Sequence, residues 1–437
     1  MNPNKAAGWT SCIIALAILS QFAGCKGAPA VLKNEPFAIK NARIFDGERI
    51  IEDTTVVIQG KIIQSVGGPI PADAVVIDAH GATLMPGLID SHVHTDEEGL
   101  KDALKFGITT ELEMMGSWSK RERKKIAERH DLADVRSPGM GVTAKGGHPS
   151  EYIHSSSNLI IRYFFSFPSV STPEEAVKFV DEQISEGADY IKIIIEDGTI
   201  VGYPNLPEPS DAVLISSVNE AHRQGKMAVA HATTIVGTKR ALKAGVDGFA
   251  HIFVDSPPPT DLIQALSSSK TFIIPTLSVI SSAFGNNAAW LAKDERVRSK
   301  LSKEWLESLS GTMNTHPQGS LNLVFNNVKI LHRAGVDILA GSDVSEPAPG
   351  LGGLAHGVSL HHELQLLVAA GLTPLEALRA ATSVPARRFG LIDRGRIANG
   401  FRADLVLVDG DPSVRITDTL NTKAVWRGGV LFSPEQE

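Results

Sequence analysis

Short apolar runs alternate with amphipathic segments through the middle of the chain, and this alternation constrains the fold more than any other feature. The amphipathic segments, such as PEEAVKFVDEQISEG and PSDAVLISSVNEAHRQG, end at glycine, as helix C-termini often do. Strands that alternate with helices form a parallel sheet, and eight of them indicate an α/β fold, a (β/α)8 TIM barrel. The eight predicted strands are Leu84–His92, Gly107–Met114, Gly139–Ala144, Tyr190–Ile195, Met227–His231, Gly248–Ile252, Phe272–Pro275 and Val336–Ala340.

Both flanks of this middle region have strand patterns instead. FAIKNARIF and TTVVIQGKIIQSVG precede it, and ADLVLVDGD and KAVWRGGVLF follow it. We therefore expect a small β-sandwich domain built from residues 36–84 and 397–433, beside a barrel over residues 85–396. The longest insertion, residues 278–325, follows the seventh strand and is either a lid or an extra helical pair.

The N-terminus has the pattern of an export signal. Lys5 precedes the apolar run Ile13–Leu19, which is too short to span a bilayer but suits a secretory signal. The following FAGC resembles a bacterial lipoprotein signal, which predicts a signal peptide over residues 1–24, a lipidated Cys25 and a tether over residues 25–35. A plain secretory cut after Ala30 is the alternative. Either way we expect an exported protein, periplasmic or anchored to the outer membrane as a lipoprotein.

Charge and cysteine content exclude several classes of function. A net charge of −7 gives no electrostatic reason to expect a nucleic-acid partner. The two cysteines, Cys12 and Cys25, lie in the leader, so the folded body has no disulfide and no thiolate metal ligand. The expected partners are a small-molecule substrate and further copies of the chain in a homo-oligomer, with membrane contact through the lipid anchor alone.

Polar residues fall at the ends of the predicted strands. Alone, each has a structural explanation, such as a hydrogen-bonded histidine, a lysine at the rim or a helix-capping aspartate. The carboxyl ends of the strands meet at one mouth of this barrel, where its active sites lie. Six such residues at one mouth therefore predict a functional site: His92, His94, Lys192, His231, His251 and Asp343.

Several motifs resemble the amidohydrolase superfamily, and more narrowly its imidazolonepropionase-like and Xaa-Pro-dipeptidase-like branch. They are PGLIDSHVHT, GADYIKI, VAHAT, GFAHI, AGSD, LHHELQLLVAAGLTPLEALRAAT and GRIANGFRADLVLVDGDP. The similarity covers roughly residues 36–430. It implies a distorted (β/α)8 barrel beside a small β-sandwich, in agreement with the strand pattern.

The resemblance also implies a metal centre and a reaction. Four imidazoles and a carboxylate are suitable ligands for Zn²⁺ or a similar divalent ion. Two such ions are implied, with His92, His94 and Asp343 on one, His231 and His251 on the other, and Lys192, carboxylated by CO₂, bridging both. A metal-bridging hydroxide would attack a carbonyl carbon, with Asp343 as the catalytic proton shuttle to the leaving amine.

The substrate is less constrained by the sequence. His148 follows the third strand in a Gly-Gly-His motif that contacts substrate in dipeptidase-like relatives, so it has a predicted catalytic or binding role, although a structural loop histidine is the alternative. Thr233 lies where those relatives often have tyrosine. Further predicted substrate contacts are Met115, Trp118, Tyr203 and His356.

The leading hypothesis is hydrolysis of an amide bond in an N-acyl amino acid or a dipeptide. Alternatives are hydrolysis of a carbamate, lactone, ester or cyclic amide. A mononuclear deaminase is a further alternative, although such deaminases in the superfamily generally lack the lysine of the fourth strand. A binding lipoprotein on an inactive barrel would have a broken ligand set, whereas this set is complete.

Overall fold

The computed structural model describes residues 35–155, 166–348 and 350–433. The predicted signal peptide, Cys25 and nearly all of the predicted tether lie outside the described residues. Within the described ranges, none of the helices has the length and apolar run that crossing a bilayer would require.

Strands and helices follow one another in the order that the sequence predicts. The strands are β1 Phe37–Phe45, β2 Ile50–Gln59, β3 Ile62–Val66, β4 Val75–Asp78, β5 Thr83–Pro86, β6 Leu88–Val93, β7 Ile108–Glu113, β8 Asp134–Arg136, β9 Ile191–Ile195, β10 Ala228–Ala232, β11 Gly248–Ala250, β12 Phe272–Ile274, β13 Asp337–Ile338, β14 Leu405–Val408, β15 Thr422–Arg427 and β16 Val430–Leu431. The helices are α1 Glu97–Lys105, α2 Lys120–Glu128, α3 Ser150–Ser155, α4 Pro173–Ser185, α5 Asp211–Arg223, α6 Ile235–Ala244, α7 Thr260–Ser268, α8 Leu277–Ala283, α9 Ala289–Lys293, α10 Glu295–Arg298, α11 Lys303–Ser310, α12 Leu321–Arg333, α13 Val358–Ala369, α14 Pro374–Ala380 and α15 Ser383–Arg388.

Strands from the two flanks pair into a single sheet. Its order is β16-β15-β14-β5-β1-β2-β3, and β4 pairs with β1. The junction between the flanks is the antiparallel pair β14 and β5, in which Leu405 lies opposite Pro86 and Val408 opposite Thr83. The two ends of the chain thus share one sheet, while the predicted sandwich packing of that sheet stays a prediction.

The middle of the chain gives eight parallel strands in two sheets. Strands β6, β7 and β8 form one sheet, and β9 to β13 form the other, each in chain order. Isolated bridges continue these sheets: Val142, after β8, pairs with Ile193 of β9, and Val93 of β6 pairs with Val344, after β13. Parallel strands in chain order, connected mostly through helices, establish the α/β class.

The helices form where capping residues precede amphipathic runs. In α5 the Ser210 side chain accepts a hydrogen bond from Val213 N, and the helix buries Val213, Val218 and Ala221. Helix α4 begins with a Thr172–Glu175 capping box. Both predicted helices are therefore present, and their apolar faces belong to the main core, which also contains apolar side chains of the parallel strands.

The third predicted strand is wrong in position. The sequence predicts Gly139–Ala144, but the strand that pairs with β7 is β8, and only Val142 of the predicted segment forms a bridge. Gly139 takes a left-handed φ of 68°, which interrupts extended backbone at that point. The charged residues Asp134 and Arg136 predict a surface segment, although most of β8 is buried.

Asp134 is fully buried and compensated by arginines from the C-terminal part of the chain. Arg394 contacts its carboxylate directly, and guanidinium nitrogens of Arg402 and Arg427 lie 3.4 Å and 3.7 Å from it. Burial alone would raise the pKa of the Asp134 carboxyl, but the surrounding arginines hold it well below its ordinary value. This cluster links β8 to the terminal sheet through Arg427 of β15.

Replacing Asp134 with asparagine is expected to destabilise the protein by about 3–5 kcal/mol, because it removes the buried carboxylate that three guanidinium groups share. Urea unfolding near neutral pH measures this loss. The difference from wild type should shrink as the pH falls below about 4, since a carboxylate with a lowered pKa stabilises only while ionised. Asp261→Asn, which removes an exposed pair with Lys239, is the control. A loss below about 1 kcal/mol, the range of surface ion pairs, would contradict this expectation.

Candidate active site

His92 and His94 lie together at the carboxyl end of β6. Alternation along the strand directs both rings to the same side, and the ring centroids are 5.6 Å apart. Asp90, two residues earlier, accepts hydrogen bonds from His92 N at 3.2 Å and Ser342 N at 2.9 Å. The backbone that carries the two histidines is therefore fixed to the segment that follows β13.

Asp343 is the point on which the histidines converge. Its backbone N donates to His92 O at 2.7 Å, and it has a left-handed φ of 57°. Its Oδ1 lies 3.1 Å from His92 Nε2 and 3.3 Å from His94 Nε2, and its Oδ2 lies 3.8 Å from His251 Nε2. Donor atoms of His92, His94 and Asp343 all lie within 4.8 Å of one another, so this trio is a candidate metal site.

His231 is the penultimate residue of β10 and His251 directly follows β11. Their ring centroids are 4.3 Å apart. His251 Nδ1 donates to Thr276 Oγ1 at 2.6 Å, because that hydroxyl already donates to Pro275 O at 2.8 Å. His231 Nε2 lies 3.1 Å from Glu196 Oε2. Each ring thus uses one nitrogen for a protein partner and keeps the other as a possible metal ligand.

Burial keeps three of these imidazoles neutral. It lowers the pKa of His92 to about 4 and holds those of His231 and His251 well below the ordinary value. Neutral imidazole is the form that binds a metal ion.

His94 behaves differently from the other three histidines. Burial acts to lower its pKa, but hydrogen bonds and charge interactions with Asp343 and Glu113 outweigh it and raise the pKa to about 9. Its Nδ1 lies 3.4 Å from Met115 O and 3.7 Å from Glu113 Oε1. His94 therefore holds a proton near neutral pH that a metal ion would have to displace.

Lys192 lies in β9 and is 2% exposed. Burial lowers the pKa of its amino group to about 8, although the charges of Asp343 and Glu113 oppose this. No ion pair holds this amino group among the residues that the structure describes. A lysine in such surroundings has a substantial neutral, reactive fraction near neutral pH.

These groups open into one cavity of about 340 Å³, which all six predicted metal-site residues line. Part of the insertion over residues 278–325, after β12, lines the cavity. The apolar lining from this insertion and from the loop after β13 consists of Val279, Ile280, Ala283, Met313, Leu351 and Leu354.

The predicted substrate contacts divide into two groups. His148, Thr233 and Met115 line the cavity. His148 lies in the loop before α3, with its Nδ1 2.5 Å from Glu151 Oε1 and its ring centroid 4.9 Å from that of His231.

The other three predicted contacts are not in the cavity lining. The indole of the half-buried Trp118 donates to Thr95 O at 3.1 Å, so its N–H is satisfied by the backbone. Tyr203 is 43% exposed and lies on the surface. His356 is buried, with Nε2 3.1 Å from Ser345 O and Nδ1 3.6 Å from Glu111.

The groups that support the histidines are not among the site residues predicted from the sequence. Glu113 ends β7 and Glu196 directly follows β9, so searching strand ends for acids as well as histidines would have found both. Thr276 and Glu151 carry no comparable signal in the sequence, because only the folded backbone brings them to His251 and His148.

Comparison with known proteins gives one consistent family. Residues 83–431 match the Amidohydrolase family. Ochratoxinase from Aspergillus niger is 25% identical over 436 residues, which cover 89% of this chain and 84% of that protein. Adenine deaminase from Thermosipho africanus is 24% identical over 398 residues, which cover 88% of this chain and 56% of the deaminase.

Solved structures agree at the level of the fold. A Xaa-Pro dipeptidase with methionine bound in its active site has a TM-score of 0.70 at 23% identity, and the match covers 91% of this chain and 100% of that one. The family match includes all eight parallel strands, the site residues and part of the terminal sheet. The chain therefore belongs to the amidohydrolase family and is a hydrolase that acts on carbon–nitrogen bonds.

Proposed function

We propose that this hydrolase cleaves an amide bond in a small molecule, such as an N-acyl amino acid or a dipeptide, with the help of two divalent metal ions. The observation that carries the proposal is the convergence of His92, His94 and His251 on Asp343 in a cavity that also contains His231 and Lys192. We further propose that the two parallel sheets form one distorted (β/α)8 barrel, with this cavity at the carboxyl ends of its strands and the sandwich beside it.

The residues present fit a pair of divalent ions. Three neutral imidazoles and a buried, ionised carboxylate provide the nitrogen and oxygen donors that zinc prefers. On one side the ion would be held by His92, His94 and Asp343, and on the other by His231 and His251. Bound ions would acidify a water molecule and polarise the substrate carbonyl.

Lys192 would lie between the two ions as a carbamate. Its neutral amine attacks CO₂, so a nitrogen–carbon bond forms, one proton is lost, and the product is an anion with two oxygens. The buried position and lowered pKa of Lys192 favour the neutral amine that this reaction needs.

Asp343 and His148 carry the protein's own part of the reaction. The water oxygen bonds to the carbonyl carbon while the Asp343 carboxylate takes its proton. Asp343 then transfers that proton to the leaving nitrogen, the carbon–nitrogen bond breaks, and a carboxylic acid and an amine are released. Its contacts with His92 and His94 hold it in place for that transfer. His148, whose Nδ1 is paired with Glu151, presents its other nitrogen to the substrate.

The apolar wall favours a substrate with a bulky apolar group. Ile280, Val279 and Leu354 offer dispersion contacts but no hydrogen-bond partners from their side chains. Specificity for polar groups therefore depends on the polar lining residues, which include His148 and Thr315. This fits an amide with an aromatic or branched aliphatic substituent, and carbamates, lactones, esters or cyclic amides of the same shape are the alternative.

Deamination is the second candidate, and the similarity to adenine deaminase favours it. It predicts release of ammonia from an amino-substituted heterocycle, whereas amide hydrolysis releases a carboxylic acid and an amine. Assaying both products on one panel of compounds separates the two functions.

We also propose that the protein is exported, is anchored through Cys25 at the outer membrane and forms a homo-oligomer. The export and anchoring proposals rest on the N-terminal sequence. Mass spectrometry of the mature N-terminus and light scattering of the purified protein test them.

The first experiment measures metal per chain in protein purified without chelators, followed by hydrolysis of N-acyl amino acids and dipeptides. We expect about two equivalents of zinc or a similar ion, with activity lost to chelators and restored by the metal. Binding should release a proton and strengthen as the pH rises towards about 9, because the His94 proton competes below its raised pKa. A single tight equivalent, unchanged by added metal and bicarbonate, would contradict the two-ion centre.

A further inference from the structure

Glu196 is a buried carboxylate that faces one of the metal-binding imidazoles. It directly follows β9 and is 2% exposed. Its Oε2 lies 3.1 Å from His231 Nε2 and accepts a hydrogen bond from Thr233 Oγ1 at 2.5 Å, while its Oε1 accepts one from Gly198 N at 2.8 Å. Both oxygens are therefore held by the protein on the side of His231.

This contact decides which nitrogen of His231 is free. A carboxylate accepts hydrogen bonds only, so the neutral His231 ring carries its proton on Nε2. The lone pair is then on Nδ1. In His251 the arrangement is reversed, since Nδ1 donates to Thr276 and Nε2 faces Asp343. The two neighbouring imidazoles thus offer different nitrogens to the centre.

We propose that Glu196 is a positioning residue that presents His231 Nδ1 to the ion on the His231–His251 side. This inference rests on the proposed two-ion centre. Partners that fix the tautomer and orientation of a ligating histidine typically contribute 10- to 100-fold to metal affinity. The carboxylate also makes the imidazole a stronger donor than a neutral hydroxyl does. Loss of Glu196 therefore lowers the affinity for one ion and leaves unchanged the affinity for the ion bound by His92, His94 and Asp343.

The same geometry changes the role of Thr233. Its hydroxyl proton is used in the 2.5 Å hydrogen bond to Glu196, so it is not available to polarise a substrate carbonyl. Thr233 instead holds Glu196 against His231. We expect Thr233→Val to lower the affinity for the same ion as Glu196→Ala does. The loss should be smaller, because the carboxylate keeps its hydrogen bonds to His231 and Gly198.

The test is a zinc titration of the full-length, metal-free protein. Binding is measured by calorimetry or by competition with a chromophoric chelator. Wild type should bind two equivalents. Glu196→Ala should lose about 10- to 100-fold in affinity for one equivalent and keep the other. Glu196→Gln retains an acceptor for His231 Nε2, so its loss should be smaller than that of alanine.

Glu151→Ala is the matched control. It removes another buried carboxylate from a histidine in the same cavity, but its partner His148 is not a proposed metal ligand. Both zinc affinities should therefore stay at the wild-type values. Melting of the metal-free proteins is compared in parallel, so that a folding defect is recognised, and Glu196→Gln and Thr233→Val give the same readout if the alanine variant does not fold.

The outcomes separate this inference from the proposed function. If Glu196→Ala binds both zinc ions with wild-type affinity, the role of Glu196 is overturned and the two-ion proposal stays intact. The positioning role would also be overturned if Glu196→Ala lost affinity equally for both ions, or if Glu196→Gln lost as much affinity as Glu196→Ala. A wild-type protein that binds fewer than two equivalents would overturn the two-ion proposal and this inference with it. A metal-loaded crystal structure with His231 Nε2 on the ion would also contradict it.

Discussion

Replacing Lys192 with alanine is expected to lower kcat/KM for amide hydrolysis by about 1000-fold or more and to reduce bound metal below two equivalents. The substitution removes the carbamate proposed to lie between the two ions, so a large part of the offset to their mutual repulsion is lost. Positioning and polarisation by a metal centre contribute several kcal/mol to catalysis, and about 4 kcal/mol corresponds to 1000-fold. Steady-state kinetics and metal analysis of the same preparation measure both effects.

Chemical rescue distinguishes a carbamate from a simple amine at position 192. Alanine leaves room for a small anion, so formate or acetate should restore part of the activity and of the second equivalent of metal. Methylammonium should not restore either. Lys192→Arg is the control for charge, since it keeps a cation but does not form a carbamate, and it should be as inactive as alanine.

Two results would contradict this account of Lys192. Near-normal turnover of Lys192→Ala with two bound ions would show that no bridging group is needed. Rescue by methylammonium but not by formate would mean that Lys192 acts as an ammonium or amine. In that case a hydrogen-bonding role toward substrate would replace the carbamate.

The metal-site candidates could be predicted because they follow a topological rule. His92, Lys192 and His231 lie in parallel strands, and the carboxyl ends of those strands meet whatever the details of packing. The alternation of side chains along a strand and the order of the strands therefore suffice to predict that such residues lie together. His251 and Asp343 follow the same rule, although both have left-handed φ angles that no sequence pattern announces.

Side-chain direction does not follow from strand order in the same way. Trp118 and His356 are near the site in sequence or topology, but each ring turns to a backbone carbonyl, Thr95 O or Ser345 O. A buried indole or imidazole must satisfy its N–H groups, and the nearest acceptor depends on the folded loops. Strand β8 was misplaced for a related reason, since the burial of Asp134 becomes acceptable only once distant arginines surround it.

The largest effect is expected from Asp343→Asn, which should lower kcat/KM by at least about 10,000-fold, the upper range for loss of a proton-transfer group. Asparagine has nearly the same shape and tolerates the left-handed φ of 57°, so the fold should be preserved. It cannot take up the proton of the attacking water, and it is a poorer metal ligand than a carboxylate. Kinetics, metal content and thermal melting together separate these effects.

Removing the Asp343 charge should also change His94. Asp343 is one of two carboxylates that raise the His94 pKa to about 9, so in metal-free Asp343→Asn this pKa should fall, as NMR titration of the imidazole would measure. Asp337→Asn is the control, since Asp337 lies on β13, the strand that precedes Asp343, but pairs with Arg387 and Arg388 outside the cavity lining. It should leave activity, metal content and the His94 titration unchanged. An active Asp343→Asn, or an unchanged His94 pKa, would mean that Asp343 is not the group on which the histidines and the proton transfer depend.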